Sequence, residues 1–109
     1  MFQINKYREG LVDLCTSNKA INKMYFFGSV LSSKFDEDTS DIDILVEVAD
    51  LSPEERGENL IALWDNLELL FDRKVDLLTE QSLRNPFFRK EVEQTKKIVY
   101  DRQSHQVFI

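Results

Sequence analysis

The sequence predicts an α/β (α+β) fold, a small mixed β-sheet with flanking helices. Three observations lead there. Short runs rich in branched and aromatic residues, at Ile21–Phe27 and over 41–48, 75–78 and 96–100, read as strands. Stretches over about 3–17 and 52–71 repeat apolar residues every three or four positions and read as amphipathic helices. A length of 109 residues suits one domain, 1–109, with its core over about 20–101 and a tail over 102–109 whose Val107-Phe108-Ile109 is apolar enough to dock.

The first helix carries Ile4, Tyr7, Leu11, Leu14 and Cys15 on one stripe, is weakened by Gly10, and ends at Thr16-Ser17-Asn18. The strand Ile21–Phe27 stops at Gly28, whose missing Cβ lets the chain turn sharply and another group come close. Ser29, Val30 and Leu31 then open a short helix whose free N–H groups can face an anion. A polar loop over 34–40 follows, its Asp36, Glu37 and Asp38 expected in solvent. Along the strand over 41–48, side chains alternate, so Asp41 and Asp43 share one face while Ile42, Ile44 and Val46 face a core.

Ser52, Pro53 and Glu55 form a strong helix start. The stripe of Leu60, Ile61, Leu63, Trp64, Leu67, Leu70 and Phe71 should cover the sheet, with Trp64 in the core. Asp72-Arg73-Lys74 turns into the next strand, where Asp76 stands among Val75, Leu77 and Leu78; burying an unpaired charge there would cost several kcal/mol. Thr79 caps a short segment from Glu80, and Asn85-Pro86 opens a second short helix through about Gln94. The strand over 96–100 suits a sheet edge, and the helices are expected on one side of the sheet.

A formal net charge of −6 disfavours nucleic acid and anionic membranes and favours cations or a basic partner. Cys15 is the only cysteine, which excludes an intramolecular disulfide and suggests a reducing compartment. No signal peptide or membrane-length segment is evident, so a cytoplasmic location is expected. His105, in the tail, is given no role.

The chemistry centres on Gly28-Ser29, Asp41 with Asp43, and Asp76. If their strands are neighbours, the carboxylates meet at one end of the sheet beneath the glycine turn. Oxygen-only ligands suit Mg²⁺ or Mn²⁺, and the chain lacks the histidine cluster or cysteine pair that zinc prefers. Two such ions roughly 4 Å apart would stabilise the attacking and leaving oxygens of an in-line displacement at phosphorus, with the turn holding a nucleotide's phosphates. Plainer readings exist: Gly28 as a strand-ending turn, Ser29 as a helix cap, Asp41 and Asp43 as solvated residues where a strand emerges.

Gly28-Ser29 followed by Ser40-Asp41-Ile42-Asp43-Ile44-Leu45-Val46 resembles the signature of the nucleotidyltransferase superfamily that includes DNA polymerase beta. With the small size, Val75-Asp76-Leu77-Leu78-Thr79 and Ile98-Val99-Tyr100, the chain is similar to the minimal nucleotidyltransferases over about 20–101. The resemblance implies that Gly28 and Ser29 contact a nucleoside triphosphate, that Asp41 and Asp43 hold metal, and that Asp76 completes the metal site and helps activate an acceptor hydroxyl. It implies two Mg²⁺ ions, ATP as substrate, and AMP transfer to a hydroxyl of a HEPN-type toxin for which this chain is the antitoxin. The segment Val30-Leu31-Ser32-Ser33 departs from the family's usual Arg and Gly, with Lys34 as a shifted substitute.

A different class remains open: a binding module that neutralises its partner by occlusion, with little or no catalysis. A free-standing enzyme acting on a small molecule fits less well, because so short a chain leaves little protein to wall a second substrate. Homo-oligomerisation is left open.

Overall fold

The computed structural model describes residues 2–32, 35–36, 40–104 and 106–108. A single 3₁₀ turn, Ile4–Tyr7, runs into helix α1, Arg8–Ser17. Strand β1, Ile21–Phe27, ends in a second 3₁₀ turn, Gly28–Leu31, and strand β2, Ile42–Val48, returns beside it. Helix α2, Pro53–Phe71, crosses to strand β3, Val75–Thr79. A third turn, Glu80–Ser82, leads to helix α3, Pro86–Thr95, then to strands β4, Lys97–Asp101, and β5, Gln106–Val107.

The sheet order is β3-β2-β1-β4-β5. Only β2 and β3 run parallel, as a connection by a full helix permits; the other neighbours are antiparallel. Ser52 Oγ accepts the Glu55 N–H at 3.3 Å, and Pro53 opens α2 as the sequence predicts. Asp72 closes α2 in the left-handed region at φ 51°, a conformation that Asp tolerates better than most residues.

Alternation divides the sheet into two faces. Ile42, Ile44 and Val46 of β2 pack with Met24 and Phe26 of β1 under Leu11 and Cys15 of α1 and Leu63, Leu67 and Phe71 of α2. Gly10 belongs to this packing, because the Leu70 side chain fills the space its Cβ would take. Phe2, which carries no sequence signal, stacks on Tyr7 at 5.4 Å and meets Phe35 and Phe71 edge-on at 5.3 and 5.6 Å. The opposite face is smaller: Phe27 and Leu45 with Leu83 and with Val92 of α3.

Two expectations are corrected here. Helices flank both faces rather than one, since α3 covers the second face through Val92. The stretch 102–109 is not a simple tail. Gln106–Val107 pairs with β4, Phe108 N–H donates to Val99 C=O at 2.9 Å, and β4 lies inside the sheet instead of at its edge. The Arg102 guanidinium donates to the carbonyls of Ile21, Cys15 and Asn18, tying the end of β4 to the α1–β1 corner. Lys34, Glu37, Asp38 and His105 lie outside the described residues. Among the described residues no helix is long and apolar enough to cross a membrane.

Candidate active site

Asp43 is aimed by parity. Its neighbours Ile42 and Ile44 are committed to the main core, so its carboxyl emerges on the α3 face. The parallel register sets Asp76 of β3 directly opposite Asp43, with both side chains on that face. The Asp76 carboxyl lies within hydrogen-bonding reach of the Asp43 carboxyl. Burial, that hydrogen bond, and then the charges of Asp76 and Asp41 push the Asp43 carboxyl up to about 6. Asp41 lies just before β2, half-buried, and acts on Asp43 through its charge.

Asp76 itself is exposed. The expectation of a carboxylate hemmed in by apolar neighbours is corrected: β3 is an edge strand, so its apolar residues flank an Asp that opens to solvent. Gly28 sits against Asp43. It adopts φ +75°, and a Cβ there would run into Asp43 Oδ2, so glycine is required on both counts. Ser29 lies inside the 3₁₀ turn, where its carbonyl accepts from Ser32 N–H at 2.9 Å; Phe27 holds the cap position, so Ser29 is no helix cap.

One cleft is lined by the carboxyls and a second begins at the glycine turn. The first, of about 370 Å³, is lined by Asp43 and Asp76 together with Leu60, Ile61, Trp64 and Thr79. The other, of about 590 Å³, runs from Gly28 and Ser29 past Ser32 to Glu91, Thr95 and Lys97. Trp64 therefore departs from its expected place in the core: it is 46 % exposed and forms a wall beside the carboxyls. The reason lies in helix geometry. Leu63, Leu67 and Phe71 make the buried stripe of α2, and Trp64 and Glu68 stand on the next stripe, over the free edge of β3. Trp64 Nε1 donates to Val75 C=O at 2.8 Å, and Glu68 Oε2 accepts from Val75 N–H at 2.9 Å. Spacing alone could have raised the second stripe; nothing in the sequence pointed to Lys97.

Among the described residues no three Asp, Glu, His or Cys side chains converge into a ready metal cage. What the structure brings together is the Asp43–Asp76 pair, with Asp41 close enough to raise Asp43. Carboxyls crowded so that one is pushed up are ones a divalent cation would relieve, and an oxygen-only set fits Mg²⁺, which commonly takes its remaining ligands from water and substrate phosphates.

The structure thus sets paired aspartates on adjacent parallel strands, one of them against a glycine turn, in a mixed sheet flanked by helices. Comparison with known proteins narrows the class. Residues 9–105 match the family "Polymerase beta, Nucleotidyltransferase", and the chain belongs to that family. A Methanocaldococcus jannaschii protein to which protein adenylyltransferase activity is attributed is 35% identical over 74 residues, covering 68% of this chain and 72% of that protein. A chain from a toxin–antitoxin structure with AMP-PNP superposes at a TM-score of 0.62 with 26% identity, covering 90% of this chain and 77% of that one. A chain from a tri-AMPylated Shewanella oneidensis HEPN toxin in complex with MNT antitoxin superposes at 0.56, again with 26% identity, over 94% and 76%. The protein is a nucleotidyltransferase of the minimal type.

Proposed function

We propose that this nucleotidyltransferase transfers AMP from ATP to a hydroxyl of a partner protein, a HEPN-type toxin, and serves as its antitoxin. The observation that carries the reading is the in-register Asp43–Asp76 pair, which lines one cleft, with Asp43 against Gly28, where a second cleft begins. The relatives with AMP-PNP and with an AMPylated HEPN toxin support the donor and the partner. A cytoplasmic setting accords with a single cysteine, free and buried, whose thiol burial pushes up to about 12.

In this reading the triphosphate lies along the cleft that starts at Gly28 and Ser29, and the acceptor hydroxyl enters from the cleft walled by Trp64. The hydroxyl oxygen attacks the α-phosphorus in line, forming an ester bond as the bond to the bridging oxygen breaks and pyrophosphate leaves. Asp76, exposed on its edge strand, takes the hydroxyl proton. Asp41, Asp43 and Asp76 would hold Mg²⁺, which would supply the positive charge that a polyanionic transition state needs. The chain's own share is orientation: Gly28 keeps the backbone close to Asp43, and the parallel register fixes Asp76 opposite.

The test is incubation with labelled ATP, Mg²⁺ and a HEPN-type partner, reading mass on the partner. One added AMP or more is expected. Asp41→Asn with Asp43→Asn should lower labelling more than about a hundredfold while partner binding persists. Neutralisation of the partner without labelling, unchanged in the double variant, would replace this reading with occlusion.

A further inference from the structure

Lys97 is the first residue of β4 and pairs with Phe26, two residues before Gly28. Strand pairing, rather than a loop, thus brings an ammonium group to the cleft that Gly28, Ser29 and Ser32 line. Its neighbour Lys96 is already committed, 3.3 Å from Glu93 and 4.2 Å above the Tyr25 ring. Lys97 has no such commitment: it is exposed, and the ion pairs among the described residues are Lys19–Glu55 and Lys96–Glu93. Glu91 of α3 lines the same cleft without pairing to it.

An unpaired lysine in a cleft that begins directly over Asp43 has a specific electrostatic consequence. A nucleoside triphosphate brings a polyanion to a centre already holding Asp41, Asp43 and Asp76, so the outer phosphates need a cation beyond those carboxylates. We propose that Lys97 is a triphosphate-binding residue of this site, gripping the β- and γ-phosphates across the cleft from Gly28 and Ser29 and so selecting triphosphate over monophosphate. The inference rests on the nucleotide reading of the site given above and deepens it by assigning the residue that recognises the phosphate tail.

Calorimetric binding of ATP and of AMP, each with Mg²⁺, to the wild type, Lys97→Met and Lys97→Arg separates the possibilities. The wild type should prefer ATP, Lys97→Met should lose about tenfold in ATP affinity with AMP affinity unchanged, and Lys97→Arg should recover most of the loss. Thermal unfolding of the variants reads any general damage to β4. Equal ATP binding by wild type and Lys97→Met, or equal losses for ATP and AMP, would overturn the role of Lys97 while leaving the nucleotide site standing. A wild type that binds no ATP would remove the nucleotide reading, and this inference with it.

Discussion

Asp43 is held where its charge is least welcome: half-buried, hydrogen-bonded to a second carboxyl and within the field of a third. Its folded value of about 6 lies above the ordinary 3.8, so the proton is favoured in the folded state. The sign follows. The stability this group contributes is full below its ordinary value and is lost as pH rises through about 6, where the fold must carry the anion. Asp43→Asn should therefore raise the melting temperature at about pH 8, without divalent ions, by a few degrees, roughly 1 kcal/mol once solvent screening is allowed for. At about pH 4 the gain should nearly vanish, and equal gains at both pH values would contradict the assignment. The sequence made Asp41, Asp43 and Asp76 visible through strand alternation and an acid in an apolar run. It could not show that Asp76 is open to water, because an edge strand and a central strand share the same local pattern.

At the scale of elements, α2 and β3 form a unit in which a helix guards a sheet edge. Trp64 and Glu68, one turn apart, occupy the carbonyl and N–H of Val75, and the indole remains beside the carboxyls as a cleft wall. Helical periodicity identified α2 and its buried stripe, yet two adjacent stripes blur when Ile61 and Trp64 are themselves apolar. The end of the chain was harder to read. A strand of two residues has no period, and Arg102 owes its role to partners more than eighty positions away in sequence. Arg102→Met removes charge-assisted bonds to the carbonyls of Ile21, Cys15 and Asn18 and should cost about 2–4 kcal/mol in denaturant unfolding. A loss under about 0.5 kcal/mol would mean that the staple contributes little to holding β4 against the α1–β1 corner.

For the whole molecule, the sheet order explains why so short a chain can hold a site. Placing β2 between β1 and β3 brings the glycine turn at the end of β1 against Asp43 of β2, with Asp76 of β3 on the other side of Asp43. Helices α1 and α2 bury the main core on the face away from the carboxyls, leaving the carboxyl face to the lighter cover of α3. The first four strands, the start of α2 and the acids Asp41, Asp43 and Asp76 could be read from the sequence, since each has a local signature, whereas the first turn of the expected N-terminal helix is 3₁₀ and α1 begins only at Arg8. The placement of α3, the fifth strand and Lys97 depends on long-range pairing that no local window contains. The central claim is that Asp43 and Asp76 form a divalent-cation site completed by nucleotide. Electron paramagnetic resonance of Mn²⁺ with ATP tests it most directly. The wild type should give a protein-bound Mn²⁺ signal that strengthens with ATP, and Asp43→Asn and Asp76→Asn should each weaken it about tenfold or more. Mn²⁺ binding with ATP that is unchanged in both variants would contradict the claim.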